Sequence, residues 1–279
     1  CIRDSTMTDR YAVIGNPIEH SKSPQIHAAF ARQTGEDIEY GRVLGDPKQV
    51  EASFRRFFAA GGKGLNVTVP FKEAAWRIAD ERSARAETAR AVNTLILLDD
   101  GRLRGDNTDG VGLVRDLKDN QGLVLAAKRI LLLGAGGASR GVARPLLEEG
   151  PETLVIGNRT ASKAVELASA LKPLGPVQGC GLDALAGRAF DLIINGTAAG
   201  LQDEVPPIPD GCLAPGGWTY DMMYGDQPTA FCRWGKAHGA VQALDGLGML
   251  VEQAADSFFL WRGVRPRTGP VIATLRGRD

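Results

Sequence analysis

A lysine just beyond a short polar strand is the first candidate for chemistry in this sequence. Asn66 and Thr68 alternate with apolar residues, so both lie on one face of a predicted strand end, and Lys72 follows. An ammonium group beside such donors and acceptors could stabilise negative charge that develops on an oxygen, and could donate a proton to it. A lysine taken alone is more often a solvated surface residue, so this hypothesis depends on the polar neighbours.

Two further polar segments could contribute to binding. Ser21 and Ser23 flank Lys22 just before Pro24. A serine N-cap followed by proline is typical of a helix start, and a helix start is a natural site for a carboxylate. Ser23 could equally be a plain cap. The segment 106–110 carries two aspartates, an asparagine and a threonine, but it could be only an Asx-rich turn that caps a helix.

A glycine-rich turn predicts a nucleotide site. It follows the apolar run 130–133 and opens a helical pattern. Glycines let the backbone approach a pyrophosphate closely, while the helix start offers unpaired N–H groups and a positive dipole end. Such a turn alone could be a tight strand-to-helix connection, but the surrounding alternation of strands and helices favours a dinucleotide. The predicted loop comprises Gly134, Ala135, Gly136, Gly137 and Ala138.

The end of the next predicted strand favours NADP over NAD. An NAD site usually has an acidic residue there to hold the ribose hydroxyls. This sequence has Asn158, Arg159 and Thr160 instead, with Lys163 one turn later. Arginine would pair with a 2′-phosphate that an acid would repel. The alternative is an ordinary helix start with solvated charges.

The elements that position these groups form two α/β patterns. Before residue 110 we predict strands at 11–15 and 65–70, a hairpin at 93–98 and 103–107, and helices at 23–35, 46–61 and 72–79. From residue 128 we predict strands at 130–133, 154–157, 191–195 and 218–222, and helices at 138–150, 162–171 and 247–261. The strict alternation in the second part is typical of a parallel, doubly wound sheet.

Composition and charge exclude several classes of protein. Lys plus Arg and Asp plus Glu both number 33, so net charge favours neither a nucleic-acid nor a membrane partner. No apolar run reaches the ~18 residues that span a bilayer. The cysteines Cys1, Cys180, Cys212 and Cys232 form no C-x-x-C pair, so we predict neither a metal site nor a disulfide, and a cytoplasmic location. Met7 is typical of a natural start, which would make residues 1–6 an addition.

The ordered set of polar and glycine motifs resembles the shikimate dehydrogenase family. The resemblance covers nearly the whole chain, from residue 10 to residue 269. Gly196 and Ala198 stand where the family more usually has Ala and Ser, which affects the loop that meets the nicotinamide. The matching motifs are 14–17, 21–24, 66–72, 91–94, 105–110, 134–140, 158–160, 195–197, 221–224 and 245–250, together with Gln253.

The resemblance implies a role for each matching residue. Lys72 and Asp109 match the catalytic pair, in which the aspartate orients the lysine and tunes its protonation. The matches to substrate-binding residues are Ser21, Ser23, Asn66, Thr68, Asn93, Tyr224 and Gln253. The matches to the NADP site are Gly134, Ala135, Gly136, Gly137, Ala138, Asn158, Arg159, Thr160, Lys163, Thr197, Met222, Gly246 and Met249.

The resemblance also implies the domain organisation and the activity. We predict an N-terminal substrate domain (7–109), a Rossmann-like NADP domain (110–245), and C-terminal helices (246–279) that return to the substrate domain. The implied reaction is reversible NADPH-dependent reduction of 3-dehydroshikimate to shikimate by a monomer or homodimer. The alternatives are a dual quinate/shikimate dehydrogenase, which the serine pair and the missing acid disfavour, and a catalytically silent NADP-binding homologue, which the presence of Lys72 and Asp109 disfavours.

Overall fold

The computed structural model describes residues 8–199 and 203–277. The predictions for Cys1, Met7 and residues 1–6 lie outside these residues. The described chain forms two compact units. The first runs to Thr108 and resumes at Val251, and the second is Asp109–Leu250. The second boundary lies a few residues beyond the predicted position 245/246.

The first unit contains a mixed sheet. Its strand order is β2-β1-β3-β5-β6-β4. The β1 strand pairs in parallel with β2 and β3, whereas β5 is antiparallel to β3 and β6. Its elements up to Thr108 are β1 (Asp9–Gly15), α1 (Ser23–Thr34), β2 (Ile38–Leu44), α2 (Val50–Ala59), β3 (Gly62–Val67), α3 (Lys72–Ile78), β4 (Glu81–Arg82), α4 (Ala84–Ala89), β5 (Thr94–Leu97) and β6 (Leu103–Asp106).

The second unit contains an all-parallel sheet of order β12-β11-β10-β7-β8-β9. This order reverses between β7 and β10, which is where doubly wound sheets bind ligands. Its elements are α5 (Asp109–Arg115), β7 (Arg129–Leu133), α6 (Gly137–Glu148), β8 (Thr153–Asn158), α7 (Ala161–Leu171), β9 (Val177–Gly181), β10 (Phe190–Asn195), β11 (Leu213–Asp221), α8 (Ala230–Ala237) and β12 (Gln242–Leu244). The predicted doubly wound fold is confirmed.

The C-terminal helices α9 (Leu247–Arg262) and α10 (Gly269–Leu275) complete the described chain. The α9 helix starts in the second unit and continues into the first. There Trp261 donates to the carbonyl of Leu95 at 3.1 Å, and Arg262 pairs with Asp9 and Glu36. The prediction that the C-terminal helices return to the substrate side is therefore confirmed. No helix among the described residues is long and apolar enough to cross a membrane.

Both faces of the parallel sheet are covered, which explains its apolar strands. In β7, Ile130 and Leu132 pack into one core, whereas Leu131 and Leu133 pack into the other. All four side chains are fully buried. A strand that is buried on both faces shows a continuous apolar run rather than alternation.

Three local predictions need correction. Ser23 is the first residue of α1 rather than its N-cap, and its backbone N–H donates to Ser21 Oγ at 3.3 Å. The second predicted helix begins at Val50, because Asp46 accepts from the backbone N–H of Lys48 (2.9 Å) in a preceding turn. The β3 strand ends at Val67 rather than at 70, because the N–H of residue 71 donates to the carbonyl of residue 68 and closes a turn.

Candidate functional site

A buried hydrogen-bond network surrounds Asn66 at the end of β3. Its side-chain amide donates to the backbone carbonyl of Asn93 at 3.2 Å and to Ser257 Oγ at 3.0 Å, with Thr94 Oγ1 at 3.3 Å. The hydroxyls of Thr94 and Ser257 are 2.7 Å apart. Three elements, β3, β5 and α9, therefore meet at this point through side-chain polar groups.

The same network continues through Asn93 to the 105–110 motif. Asn93 donates to Thr108 Oγ1 at 2.9 Å and to Gln253 Oε1 at 3.2 Å, while its own Oδ1 accepts from the backbone N–H of Thr108 at 2.9 Å. Thr108 Oγ1 also donates to the carbonyl of Gln253 at 3.0 Å. The structure thus brings three predicted substrate-binding residues, Asn66, Asn93 and Gln253, into one network.

The two serines lie at the start of α1. Ser23 is buried and Ser21 is half-buried. Arg42 on β2 donates to the carbonyl of Ser21 at 2.6 Å, which holds this segment against the sheet. Thr68 is half-buried beside β1, where a Cβ on Gly15 would lie 2.5 Å from its methyl group. Glycine at position 15 therefore leaves the space that Thr68 occupies.

The remaining predicted substrate and catalytic residues lie on two different units. Lys72 is the first residue of α3 and is half-buried, and its carbonyl accepts from the N–H of Val92 at 2.9 Å. Asp109 is the first residue of α5 in the second unit and is buried. Tyr224 follows β11 in the second unit, and burial raises the pKa of its hydroxyl. Their roles stay predictions.

Ionic contacts brace the motif that precedes Asp109. Arg85 pairs with Asp106 at 2.7 Å and with Asp256 on α9 at 3.0 Å. Arg265 then joins Asp256 (3.0 Å) to Glu252 (2.8 Å). Burial would raise the pKa of Asp106, but the Arg85 guanidinium outweighs it and the pKa lies below its ordinary value. These charges are paired, as buried charges must be, and they fix α9 on both sides of Gln253.

The glycine loop connects β7 to α6 in the second unit. Gly134 has φ of 103° and donates its N–H to the carbonyl of Gly157 at 2.8 Å. A left-handed φ of this kind favours glycine. Gly136 is exposed, and a Cβ added at either Gly136 or Gly137 would meet no atom within 4 Å. The backbone of this loop, next to the start of α6, is therefore open to a ligand.

Two strand ends next to the glycine loop are tied together by Asn195. Its Oδ1 accepts from Thr197 Oγ1 at 2.7 Å, and its amide donates to Asp221 at 3.1 Å. The backbone N–H of Met222 donates to the Asn195 carbonyl at 3.0 Å. Burial raises the pKa of Asp221. A Cβ on Gly246 would lie 2.3 Å from the Met222 carbonyl, so only glycine fits there.

The start of α9 is anchored to the same unit by a buried tyrosine. The hydroxyl of Tyr220 donates to Asp116 Oδ2 at 2.7 Å and accepts from the backbone N–H of Met249 at 3.2 Å. Gly248 lies against the Asp116 carboxylate, where a Cβ would be 2.1 Å from an oxygen. The sequence indicated Met249 but neither Tyr220 nor Asp116.

The end of β8 carries cations and no acid. The Asn158 amide donates to the carbonyl of Thr160 at 2.9 Å and shapes the turn into α7. Arg159 and Lys163 are exposed. An open glycine loop at the switch point, followed by a strand end with exposed cations, fits a dinucleotide that carries a 2′-phosphate. No group of three or more His, Cys, Asp or Glu that could hold a metal occurs in the part of the chain that the structure describes.

The hydrogen-bond network around Asn66 and Asn93 is called the substrate-side network below. Sequence reasoning missed several of its members. Thr94 and Ser257 were not predicted, although Ser257 lies four residues after Gln253 and so on the same face of α9. Tyr40, which donates to Asn66 Oδ1 at 2.7 Å, lies on β2, a strand that the sequence analysis did not predict. Residue type gave little signal, because threonine, serine and tyrosine are common in ordinary strands and helices.

Comparison with known protein families gives three matches. The shikimate dehydrogenase substrate binding domain matches residues 13–95. The shikimate / quinate 5-dehydrogenase family matches residues 116–201. The shikimate 5′-dehydrogenase C-terminal domain matches residues 246–276. These matches follow the order of the motifs along the chain.

Individual relatives are similar over nearly the whole chain. The shikimate dehydrogenase (NADP(+)) of Methylococcus capsulatus is 60% identical over 97% of this chain and 97% of its own length. A crystal structure of an Ael1 enzyme from Pseudomonas putida is 46% identical, covers 96% of this chain and 98% of its own, and has a TM-score of 0.88. Shikimate 5-dehydrogenase from Thermus thermophilus, solved with NADP(H) and shikimate, is 34% identical, with coverage of 97% and 100% and a TM-score of 0.85.

Sequence identity at this level over almost the full length, together with the order of the matched regions, establishes the family. The chain belongs to the shikimate dehydrogenase family.

Proposed function

We propose that this member of the family catalyses reversible NADPH-dependent reduction of 3-dehydroshikimate to shikimate, in the shikimate pathway of aromatic biosynthesis. The protein is an oxidoreductase that uses NADP. The observation that carries the substrate assignment is the network of Asn66, Asn93 and Gln253. A site that pairs several hydroxyls of a ligand needs such a set of fixed amide donors and acceptors.

The substrate carboxylate binds the hydroxyls of Ser21 and Ser23 at the start of α1, with Tyr224 contributing from the loop after β11. The start of a helix favours an anion. Asn66, Thr68, Asn93 and Gln253 hydrogen-bond the ring hydroxyls. Support for this arrangement comes from the burial of Ser23, Asn66 and Asn93, since polar side chains held in a buried network are pre-organised to receive hydroxyl groups.

Lys72 supplies the proton in the direction of ketone reduction. NADPH, when bound, supplies the hydride to the carbonyl carbon. The π pair of the carbonyl moves to oxygen, and the Lys72 ammonium stabilises the developing charge and donates a proton to that oxygen. Asp109 acts with Lys72 by orienting its ammonium group. In the reverse direction neutral Lys72 accepts the hydroxyl proton.

The cofactor is held by the backbone of the glycine loop and by the loops after β8, β10 and β11. The exposed Gly136 and the start of α6 support a pyrophosphate position, and Arg159 and Lys163 support a 2′-phosphate position. Asn158 and Thr160 complete that end. Around the nicotinamide we assign Thr197, Met222, Gly246 and Met249. The remaining loop residues that contact the cofactor are Gly134, Ala135, Gly137 and Ala138.

The test is a panel of four reactions with purified protein, in which shikimate and quinate are each oxidised with NADP⁺ and with NAD⁺. We expect the kcat/KM for shikimate with NADP⁺ to exceed that for quinate by at least roughly tenfold, because a site of fixed hydrogen-bond partners discriminates strongly between related alcohols. NAD⁺ should give a lower kcat/KM because it lacks the phosphate that Arg159 binds.

The alternative functions correspond to different outcomes of the same panel. Comparable kcat/KM values for shikimate and quinate would assign the protein to the dual-specificity class. Binding of NADP⁺ without turnover of either alcohol would identify a catalytically silent homologue. Either result would replace the proposed reaction.

We also propose a cytoplasmic location and a monomer or homodimer as the working form. The cysteines among the described residues, Cys180, Cys212 and Cys232, are free thiols, as expected in a reducing compartment. Light scattering of the purified protein at several concentrations distinguishes monomer from dimer, and cell fractionation tests the location.

A further inference from the structure

Tyr40 contacts one of the proposed ring-binding residues. Its hydroxyl lies 2.7 Å from Asn66 Oδ1. Tyr40 lies on β2, and its ring stacks on buried His27 with a centroid separation of 4.1 Å and an angle of 5°. The ring is therefore held in place independently of its hydroxyl.

The orientation of the Asn66 amide follows from its neighbours. The nitrogen end of the amide faces the backbone carbonyl of Asn93 at 3.2 Å. A carbonyl can only accept a hydrogen bond, so that end must be the NH₂ group. The oxygen end then faces Tyr40, and the tyrosine hydroxyl must donate to it.

This arrangement leaves the Asn66 side chain able to accept one further hydrogen bond. The NH₂ group is occupied by Asn93, Ser257 and Thr94. An amide oxygen accepts two hydrogen bonds, and Tyr40 uses one of them. The remaining lone pair can accept a hydrogen bond from a ligand hydroxyl. Burial raises the pKa of the Tyr40 hydroxyl well above its ordinary value, so it stays protonated and remains a donor at physiological pH.

We propose that Tyr40 is a positioning residue for substrate recognition, which fixes the orientation of the Asn66 amide. The proposal rests on the proposed function, because it takes Asn66 as a substrate-binding residue. Tyr40 acts through this side chain, and its effect is confined to the affinity and selectivity for the hydroxylated acid.

The experiment compares the Tyr40→Phe variant with the unchanged protein in shikimate oxidation. The variant keeps the ring stacked on His27 and removes only the hydroxyl. We expect kcat/KM for shikimate to fall by roughly five- to fiftyfold, mainly through KM, because the buried amide oxygen of Asn66 loses a partner. The KM for NADP⁺ should stay within about twofold, since Tyr40 has no proposed role in cofactor binding.

A selectivity measurement distinguishes positioning from a purely structural role. Shikimate analogues that each lack one ring hydroxyl are compared in both proteins. In the unchanged protein the analogue that lacks the hydroxyl bound by Asn66 should react poorly. In Tyr40→Phe the loss of kcat/KM for that analogue relative to shikimate should be smaller, while the losses for the other analogues should not change. In Asn66→Ala the loss for that analogue should disappear, and the effects of the two substitutions should not add.

Tyr11→Phe is the matched control. Tyr11 is the direct neighbour of Tyr40 in the paired strands, its ring packs on Trp261 at 4.8 Å, and its hydroxyl contacts Arg262. The control loses a tyrosine hydroxyl from the same sheet but from no proposed substrate contact. We expect a lower melting temperature with unchanged KM for shikimate.

Four outcomes decide the matter. An unchanged KM for shikimate in Tyr40→Phe overturns the proposal. A loss of kcat/KM that affects every analogue and NADP⁺ equally, and that Tyr11→Phe also shows, overturns it as well. A fall in kcat/KM with Asn66→Ala but not with Tyr40→Phe refutes the role of Tyr40 and leaves the proposed function standing. Failure of the unchanged protein to oxidise shikimate refutes the proposed function itself.

Discussion

The substrate-side network and the glycine loop are two polar regions built in opposite ways. The network uses side chains whose positions are up to 191 residues apart in sequence, as for Asn66 and Ser257, and most of them are buried. The glycine loop is contiguous and presents backbone, with Gly136 exposed and no atom within 4 Å of its missing Cβ. In the first region function depends on which side chains are present. In the second it depends on where side chains are absent.

This difference determines how each region responds to substitution. Removal of one partner from the network leaves another buried polar group unsatisfied, which costs about 1–3 kcal/mol. Addition of a side chain to the open part of the loop costs little in the protein alone, but it occupies space that a ligand needs. We therefore expect substitutions in the network to affect stability and recognition together, and substitutions in the loop to affect cofactor binding alone.

The largest effect is expected at Lys72. Lys72→Met removes the proposed proton donor, so kcat should fall by about 10²–10⁴-fold, or ~3–5 kcal/mol in the barrier. The KM for shikimate should change much less. Asp109→Asn should also lower kcat, because it removes the charge that is proposed to orient the lysine. Steady-state kinetics of both single variants and the double variant are the measurement.

The double variant tests whether the two residues share one function. If Lys72 and Asp109 act together, the loss in the double variant should be close to that of Lys72→Met alone. Losses that multiply would show separate roles. A rise in KM for Lys72→Met with intact kcat would instead make the lysine a substrate-binding charge.

A smaller effect is expected at the cofactor site. Arg159→Ala removes the proposed charge-assisted contact to the 2′-phosphate, worth about 1.5–3 kcal/mol, so the affinity for NADP⁺ should fall by roughly 10- to 150-fold. The affinity for NAD⁺ should change little. Fluorescence titration with both dinucleotides, in the variant and in the unchanged protein, measures the two affinities.

Gly136→Ala is the companion variant that sharpens the comparison. Its Cβ meets no protein atom within 4 Å, so the melting temperature should be unchanged. The methyl group would lie at the proposed pyrophosphate position, so NADP⁺ and NAD⁺ should lose affinity equally. A selective loss of NADP⁺ in this variant, or an unchanged NADP⁺/NAD⁺ preference in Arg159→Ala, would contradict these assignments.

The smallest effect concerns stability beside the substrate-side network. His27 is fully buried, neither ring nitrogen has a hydrogen-bond partner among the described residues, and burial lowers its pKa from 6.5 to about 3. Between these pH values the unfolded chain binds the proton and the folded chain does not. The contribution of His27 to stability is thus full above pH 6.5 and falls with decreasing pH by about 1.4 kcal/mol per unit.

Denaturant unfolding at pH 7 and pH 5 measures this effect. His27→Phe keeps an aromatic ring against Tyr40. Between pH 7 and pH 5 its free energy of unfolding should decrease by about 2 kcal/mol less than that of the unchanged protein. His20→Gln is the control, because it removes an exposed imidazole and keeps the buried one, so the decrease towards pH 5 should persist. An equal decrease in His27→Phe and the unchanged protein would show that other groups cause it.

The sequence by itself determined the features that local chemistry specifies. The apolar run 130–133, the glycines that follow it and the acid-free end of the next strand predicted a doubly wound sheet and NADP, because a contiguous stretch contains everything that such a turn requires. The order of the polar motifs was enough to indicate the family. The roles of Lys72, Asp109 and the residues assigned to the cofactor stay predictions.

Only the tertiary structure revealed the side-chain network and the residues that hold it. Tyr40, Thr94 and Ser257 carry little signal in their residue types, since each is an ordinary residue of a strand or a helix, and β2 itself was not predicted. The pairing of Arg85 with Asp106 and Asp256 likewise joins segments that are far apart in sequence. Hydrogen-bond partners of this kind become neighbours only when β2, β3, β5 and α9 pack together, because the interaction depends on distance in space and not on spacing along the chain.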